Sequence, residues 1–317
     1  MRILLTGSSG FIGSALLPRL EREGHEVWQL LRYVSGGRYD YWERQRKVFA
    51  DLRDHDAVRS AVHDVAPDAI IHLGAITPVS FSFMSAVDVF EVNALGTINL
   101  ANVAMDEGVE HFVHASTSEC YGIQRKFPIR EDANLNPTSP YAVAKIAAEH
   151  HLRLLREIYG FPVTIIRPFN SYNRANVRNR HYAVERAITM ALERRHIRLH
   201  NPRPVRDFLY RDDHVEAYVK CIENKRAVGE TINVCTGRGV TIEEMVRMVA
   251  ELVEERTGEK VGISWEAEPD RPPDIPVLVG SRERARRVLG WRPRRSLEEG
   301  LRLAIEEWAG VLGRDLS

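Results

Sequence analysis

The chain has 317 residues, 44% of them hydrophobic, enough for one large α/β domain or two domains that share a cleft. Its 44 Lys and Arg residues equal its 44 Asp and Glu, so there is no formal net charge, which argues against a general nucleic-acid or polyanion binder. Cys120, Cys221 and Cys235 form no C-x-x-C pair and suggest neither a disulfide framework nor a metal site, and the lack of a leader or a membrane-length apolar run reads as a soluble, cytoplasmic protein.

The opening stretch, MRILLTGSSGFIGS, begins with the apolar run Ile3 to Leu5, a strand buried on both faces. Gly7, Gly10 and Gly13 follow in G-x-x-G-x-x-G spacing, and Ile12, Leu16, Leu17 and Leu20 recur at helical spacing. Strand, glycine turn and helix make a phosphate-binding corner, in which the backbone approaches a pyrophosphate and the helix N-terminus offers free N–H groups. Pro18 falls inside this helix and predicts a kink or a lost hydrogen bond.

His25 to Leu31 reads as the second strand, followed by Arg32 and a loop with Ser35, Gly36 and Gly37. Leu30 and Leu31 stand where an acid would hold the ribose hydroxyls of NAD. A cation at that point suits a 2′-phosphate, so NADP is favoured and NAD stays possible. The alternative for Arg32 is a solvated loop residue. Val48 to Leu52 is a short strand carrying Asp51, and Val58, Ala61, Val62 and Val65 share one face of the next helix. Asp68 to Leu73 is a buried strand that runs into Gly74 and Ala75. Ala86 to Glu107 reads as one long amphipathic helix and His111 to Ser116 as a strand. Pro140 to Tyr159 is a helix ended by Gly160, and Phe161 to Arg167 a further strand.

This alternation predicts an α/β fold with a doubly wound parallel sheet. Ligands then bind beyond the carboxyl ends of the strands, so the glycine turn, Arg32, Asp51, Ala75 and the Ser116–Tyr121 run crowd one rim. The second half is less regular. Helices are expected over Tyr182–Arg194, His214–Glu223, Ile242–Arg256, Ser281–Leu289 and Leu297–Leu312, with Arg206–Asp213 a strand followed by the acidic cap of the next helix, a strand over Thr231–Val234 and a Pro-rich loop at Asp270–Pro276. Residues 1–168, with about 207–236 returning, read as a dinucleotide-binding unit and 169–317 as a smaller C-terminal substrate domain.

Tyr141 and Lys145 stand at i and i+4 in PYAVAK, on one face of a helix start. A tyrosine acts as a general base only if its pKa falls well below about 10, and a neighbouring ammonium favours the phenolate. Thr117, Ser118 and Glu119 form a second cluster at a strand end, where a hydroxyl can bond the substrate or the tyrosine. A carboxylate there can remove a proton next to a carbonyl. The excess of Arg over Lys, 38 against 6, supplies guanidiniums able to grip phosphates bidentately.

The set TGSSGFIG, ASTSECYG, SPYAVAK, RPFNSY, RDFLYRDD and RPPDIP…LGW resembles the extended short-chain dehydrogenase/reductase family acting on nucleotide sugars. That resemblance implies a Rossmann-type sheet plus a smaller sugar-nucleotide domain. It implies that Tyr141 takes the proton of a sugar hydroxyl, that Lys145 lowers the tyrosine pKa and holds the nicotinamide ribose, and that Thr117 completes the relay. The cofactor would lie against Gly7, Gly10, Phe11, Ile12, Gly13, Arg32, Asp51, Leu52, Leu73, Ala75 and Asn93. Asn170, Arg180, Arg206 and Arg271 would hold the nucleotide sugar. Within the family, ASTSE-x-YG with SPYAVAK is most similar to the GDP-mannose 4,6-dehydratase group. There Glu119 would remove the C5 proton while water leaves C6. The 4-epimerases, the glucuronate decarboxylases and, outside catalysis, dinucleotide-binding sensors are the alternatives. In relatives the Ala86–Glu107 and Pro140–Tyr159 helices form an intersubunit four-helix bundle, which implies a homodimer or a dimer of dimers.

Overall fold

The structure, a computed structural model, describes residues 1–32, 46–173, 182–266 and 275–314. The loop with Ser35, Gly36 and Gly37, together with Arg180 and Arg271, lies outside those residues.

The strands are β1 (Arg2–Thr6), β2 (Glu26–Leu31), β3 (Lys47–Phe49), β4 (Ala69–His72), β5 (His111–Ala115), β6 (Val163–Pro168), β7 (Asn170–Tyr172), β8 (His196–Leu199), β9 (Val205–Arg206), β10 (Phe208–Tyr210), β11 (Thr231–Val234), β12 (Val240–Thr241), β13 (Gly262–Trp265) and β14 (Val277–Leu278). The longer helices are α1 (Gly13–Arg22), α2 (His55–Val65), α3 (Val79–Met84), α4 (Ala86–Phe90), α5 (Gly96–Asp106), α6 (Pro140–Tyr159), α7 (Ala183–Arg194), α8 (Arg211–Glu223), α9 (Ile242–Thr257), α10 (Glu283–Leu289) and α11 (Leu297–Leu312).

Seven parallel strands form the main sheet in the order β11-β6-β5-β4-β1-β2-β3. This is the Rossmann order, with its switch point between β1 and β4. Alternate side chains feed two cores, as a period of two requires. Ile3, Leu5, Ile71 and Val113 pack with α1, α8 and α10 on one face. Leu4, Ile70, Phe112 and Ile165 pack with α2, α5 and α6 on the other. The chain therefore returns to this sheet late: Val215 and Tyr218 of α8, Ile232 of β11 and Val288 of α10 belong to the first core.

A separate core joins α7, α9 and α11 through Ile188, Val249, Leu301 and Trp308. Both α9 and α11 start with a capping box, Thr241 with Glu244 and Ser296 with Glu299. The parallel β8–β13 pair flanks this core.

Three expectations change. Pro18 does not break α1, which runs from Gly13 to Arg22; the carbonyl that loses its partner is that of exposed Ser14, in the first turn. The Ala86–Glu107 helix is α4, a π-helical turn at Glu91–Leu95 and α5, preceded by the unexpected α3. The strand within Arg206–Asp213 is β9 and β10, with α8 already starting at Arg211. Asp207 interrupts it because its buried carboxylate accepts the N–H groups of Thr236 at 2.7 Å and Gly237 at 2.8 Å.

Candidate active site

The glycine turn is shaped by contacts that exclude a Cβ. Gly7 has φ +70°, and a Cβ there would lie 2.8 Å from the Gly74 nitrogen. A Cβ on Gly13 would lie 2.1 Å from the Gly7 carbonyl oxygen. Gly10 donates its N–H to that same oxygen at 2.9 Å, so the turn folds onto itself just before α1. Beside it opens a cleft of about 210 Å³ lined by Gly7, Leu31, Arg32, Asp51, Leu52 and Ala75. The structure thus brings Arg32 and Asp51 to one cleft from the ends of β2 and β3. Hydrogen bonds from Arg53, at 3.0 and 2.8 Å, hold the Asp51 carboxyl at about 2. A close-packed glycine backbone at a helix N-terminus beside a cleft at the sheet's switch point fits a dinucleotide.

Asn93 sits in the π-helical turn, fully buried, and holds a strand-end loop rather than facing the cleft directly. Its amide accepts the Ile76 N–H and donates to the Ile76 carbonyl, both at 2.8 Å. The wider turn accounts for the break in the expected helix, and such turns cluster at functional sites. Thr97 donates its hydroxyl to the Asn93 carbonyl at 2.7 Å. His72 Nε2 lies 3.0 Å from Thr97 Oγ1 and Nδ1 2.7 Å from Thr6 Oγ1, which accepts the Gly74 N–H at 2.9 Å. Because the Thr97 proton is committed to Asn93, hydrogen-bond logic assigns the His72 proton to Nε2. Burial pushes this imidazole down to about 3, so it is neutral. Thr6, His72 and Thr97 form a buried hydrogen-bonded chain beneath the Gly74 loop that sequence reasoning missed. A histidine ending an apolar strand, AIIH, was the available signal.

The cluster of Thr117, Ser118, Glu119, Tyr141 and Lys145 is drawn from two elements. Ser139 caps α6 by accepting the Ala142 N–H, Pro140 follows, and Tyr141 and Lys145 share the face turned toward the end of β5. Thr117 caps the short helical turn Ser118–Tyr121 by accepting the Glu119 N–H at 3.2 Å, and its hydroxyl is close enough to the Tyr141 phenol to lower its pKa. Thr117, Ser118, Tyr141 and Lys145 are buried and Glu119 is half-buried. Burial raises the Tyr141 pKa above its ordinary value, the Thr117 hydroxyl lowers it in part, and the Glu119 carboxylate raises it further. Lys145 donates to the Ala115 carbonyl at 2.7 Å, and burial brings its own pKa down to about 8. The expected lowering of the tyrosine by the lysine is therefore not the arrangement seen: Lys145 is tied to the end of β5 and desolvation dominates Tyr141.

Beneath this cluster lies a second group that the sequence reading had no place for. Arg167, 1% exposed, donates to both oxygens of fully buried Glu149, at 2.9 and 2.6 Å. Burial opposes the Glu149 charge, yet Arg167 and Arg153 hold its carboxyl below the ordinary value. Glu149 also takes the Ser116 hydroxyl, and Arg167 donates to Tyr121 Oη at 2.9 Å. One buried ion pair thus ties α6 and β6 to both ends of the Ser116–Tyr121 run. An arginine ending the apolar strand VTIIR was its signal, since a buried charge needs a partner.

Asn170 and Arg206 lie on neighbouring short strands: the Asn170 N–H donates to the Asp207 carbonyl at 3.1 Å. Arg206 directs one guanidinium nitrogen to the carbonyls of Val205 and Ile275, at 3.0 and 2.7 Å. Asn173 holds φ +74°, a left-handed conformation that Asn tolerates better than most side chains, and donates from its amide to Tyr210 Oη at 2.9 Å. Phe11 faces Tyr182, ring centroids 6.0 Å apart. Among the described residues no group of three or more His, Cys, Asp or Glu side chains is placed to hold a metal, and no helix is long and apolar enough to cross a membrane.

The sequence model of the GDP-mannose 4,6 dehydratase family matches residues 4–304. The UDP-glucose 4-epimerase of Mycolicibacterium smegmatis is 31% identical over 96% of this chain and 98% of its own. The GDP-mannose 4,6-dehydratase of Yersinia enterocolitica is 30% identical over 94% of this chain and 91% of its own. Among solved structures, the UDP-glucose 4-epimerase of Thermus thermophilus in complex with NAD superposes with a TM-score of 0.87 at 31% identity, covering 98% of this chain and 99% of that one.

Proposed function

The chain belongs to the extended short-chain dehydrogenase/reductase family, in the nucleotide-sugar branch of the GDP-mannose 4,6 dehydratase model, and we propose that it is a nucleotide-sugar 4,6-dehydratase of the GDP-mannose type. Its relatives are epimerases and dehydratases of nucleotide sugars, so the enzyme class is common ground and the outcome of the reaction is what the proposal adds.

A nicotinamide dinucleotide, when bound, supplies the acceptance and return of a hydride. The glycine turn and Lys145 would hold it, with Arg32 at the 2′-phosphate of NADP; NAD, seen in the Thermus neighbour, is the other outcome. Tyr141 takes the proton of the sugar C4 hydroxyl as C4 is oxidised; burial raises the phenol pKa, the Thr117 hydroxyl lowers it in part, and the positive charge of a bound oxidised nicotinamide would lower it further. The new ketone makes the C5 proton acidic. Glu119 removes it, and the C5 electron pair forms the C5–C6 double bond as the C6 hydroxyl leaves with a proton as water; return of the hydride to C6 and of a solvent-derived proton to C5 then closes the double bond, so the net change is loss of one water. Ser118 stands between Thr117 and Glu119 at the same rim. Asn170 and Arg206 hold the nucleotide diphosphate in this reading, which assigns residues 1–168, with 207–236 returning, to the dinucleotide and 169–317 to the nucleotide sugar.

The observation that carries the dehydratase reading is Glu119. It lies two residues beyond Thr117 and close enough to Tyr141 to raise the phenol pKa. A simple epimerase, which only returns hydride to the other face, has no use for that carboxylate. The second reading, a UDP-glucose 4-epimerase, is favoured by the similarity to the Mycolicibacterium and Thermus enzymes. The assay is incubation with GDP-, dTDP- and UDP-sugars followed by mass spectrometry. A product lighter by one water supports the dehydratase; an unchanged mass with inverted C4 supports the epimerase, and loss of CO2 a decarboxylase.

We also propose a homodimer or dimer of dimers. Met84 and Val87 are 83% and 71% exposed on α3 and α4, and Val143, Leu154 and Ile158 are exposed on the adjoining α6. Together they present a larger apolar patch than isolated surface residues do. Light scattering that reports a monomer at all concentrations would remove this part.

A further inference from the structure

We propose that Tyr182, at the N-cap of α7, is a sugar-binding residue that meets the sugar ring beside the glycine turn and the Thr77 loop; this rests on the nucleotide-sugar reading above. Tyr182 occupies the N-cap of α7 with φ −74° and ψ 149°, and its side chain makes no capping bond. Val184 and Ile188, just beyond it, are buried in the separate core of α7, α9 and α11. The tyrosine side chain leaves that core and crosses to the sheet rim. Its ring lies 6.0 Å from that of Phe11, at 51°, in the glycine turn. Its hydroxyl lies 3.5 Å from Thr77 Oγ1. Thr77 follows Ile76, whose N–H and carbonyl are both held by Asn93, so Tyr182 leans on a fixed part of the rim. The Tyr182 phenol is also near enough to Tyr141 to contribute to its raised pKa.

Two segments of the rim, the glycine turn and the loop at Thr77, therefore meet on one half-buried side chain supplied from the N-cap of α7. Tyrosine suits the task chemically. Its flat face packs against the C–H face of a sugar ring, and its hydroxyl exchanges hydrogen bonds with a sugar hydroxyl or ketone. The contact would act on the sugar and leave the nucleoside diphosphate untouched, because its partners lie beside Tyr141 and Phe11 while Asn170 and Arg206 lie on β7 and β9.

The test is isothermal calorimetry and steady-state kinetics on the full-length wild type, Tyr182→Phe and Tyr182→Ala, using GDP-mannose, UDP-glucose and dTDP-glucose with the matching free nucleoside diphosphates. Tyr182→Ala is expected to weaken the nucleotide sugar about tenfold, the scale of one hydrogen bond and one aromatic contact. The free diphosphate should bind within about twofold of wild type, a difference well under 1.4 kcal/mol. Kinetically the loss should appear in KM together with release of a 4-keto sugar intermediate, and Tyr182→Phe should fall between wild type and Ala. An unchanged ratio of sugar to diphosphate affinity in the Ala variant overturns the proposal. So does an equal loss for both ligands, which would make Tyr182 merely structural. A wild type that binds nucleotide sugars without turning them over defeats the enzymatic reading and leaves this affinity ratio measurable; one that binds none defeats both.

Discussion

The sheet rim and the α7–α9–α11 region are held together differently. Under the rim, several buried polar groups are paired: Glu149 with Arg167, and His72 between Thr6 and Thr97. In the other region the core is apolar, built on Ile188, Val249, Leu301 and Trp308. Charged pairs there, such as Arg247–Glu243 and Arg302–Glu298, sit on exposed helix faces. Exposed pairs of that kind contribute about 0–1 kcal/mol each. Buried polar contacts are directional and fix angles, whereas apolar burial fixes little beyond proximity. The rim therefore holds groups that must keep a reaction geometry, and the other region supplies a surface that has only to approach.

The largest test of this contrast removes the buried pair. Glu149→Ala leaves Arg167 charged and buried and should destabilise the fold by about 3–5 kcal/mol, the cost of breaking such a pair. Replacing both partners by apolar residues should restore much of that stability in a denaturant titration, while turnover stays low because the Ser116–Tyr121 run has lost its anchor. Restored turnover would show that the pair contributes stability alone. In the other region, Leu301→Ala should cost about 2–5 kcal/mol through cavity formation. Its affinity for the dinucleotide, measured on the folded variant, should stay near wild type, and a matching loss of affinity would erase the distinction between the two regions.

A smaller free-energy effect concerns chemistry at the rim. Tyr141→Phe keeps the ring and removes the proton acceptor, so turnover should fall at least about a hundredfold with nucleotide-sugar binding little changed. Near-normal turnover would exclude Tyr141 as the base. A separate test is the response to acid. Burial lowers His72 to about 3, His111 to about 4 and His214 to about 3, below the value near 6.5 of an unfolded histidine. The unfolded chain binds more protons between those values. Their contribution to stability is therefore complete above about pH 6.5 and is lost as pH falls through about 4 toward 3. The urea midpoint should drop across that window, and His111→Gln should flatten the drop; an identical slope in the variant would remove His111 from the account.

The same contrast explains what was legible in the sequence. Apolar strands such as AIIH and TINV, and the Ser139-Pro140 start and Gly160 end of α6, carry local signals that the surroundings do not override. The glycine turn, Thr117 and Tyr141 were visible because residue type and spacing expressed their geometry. The π-helical turn at Asn93 was not, since its cause is a side chain reaching Ile76, seventeen residues away. Neither was the break at Asp207, whose carboxylate is claimed by Thr236 and Gly237. Two-residue strands such as β9 and β12 have no periodicity to read. The apolar spacing marks Tyr182 only as the start of a helix, and nothing local marks its contact with Phe11.

The proposed dehydratase chemistry turns on Glu119. The most direct measurement compares wild type and Glu119→Gln in deuterated water with a nucleotide sugar the wild type accepts. The account predicts that the wild type incorporates solvent deuterium at C5 and yields a product lighter by one water. The variant should still oxidise the sugar at C4, seen as reduction of the nicotinamide, and lose most of the C5 exchange. A wild type that returns a C4 epimer of unchanged mass, with no deuterium at C5, contradicts it.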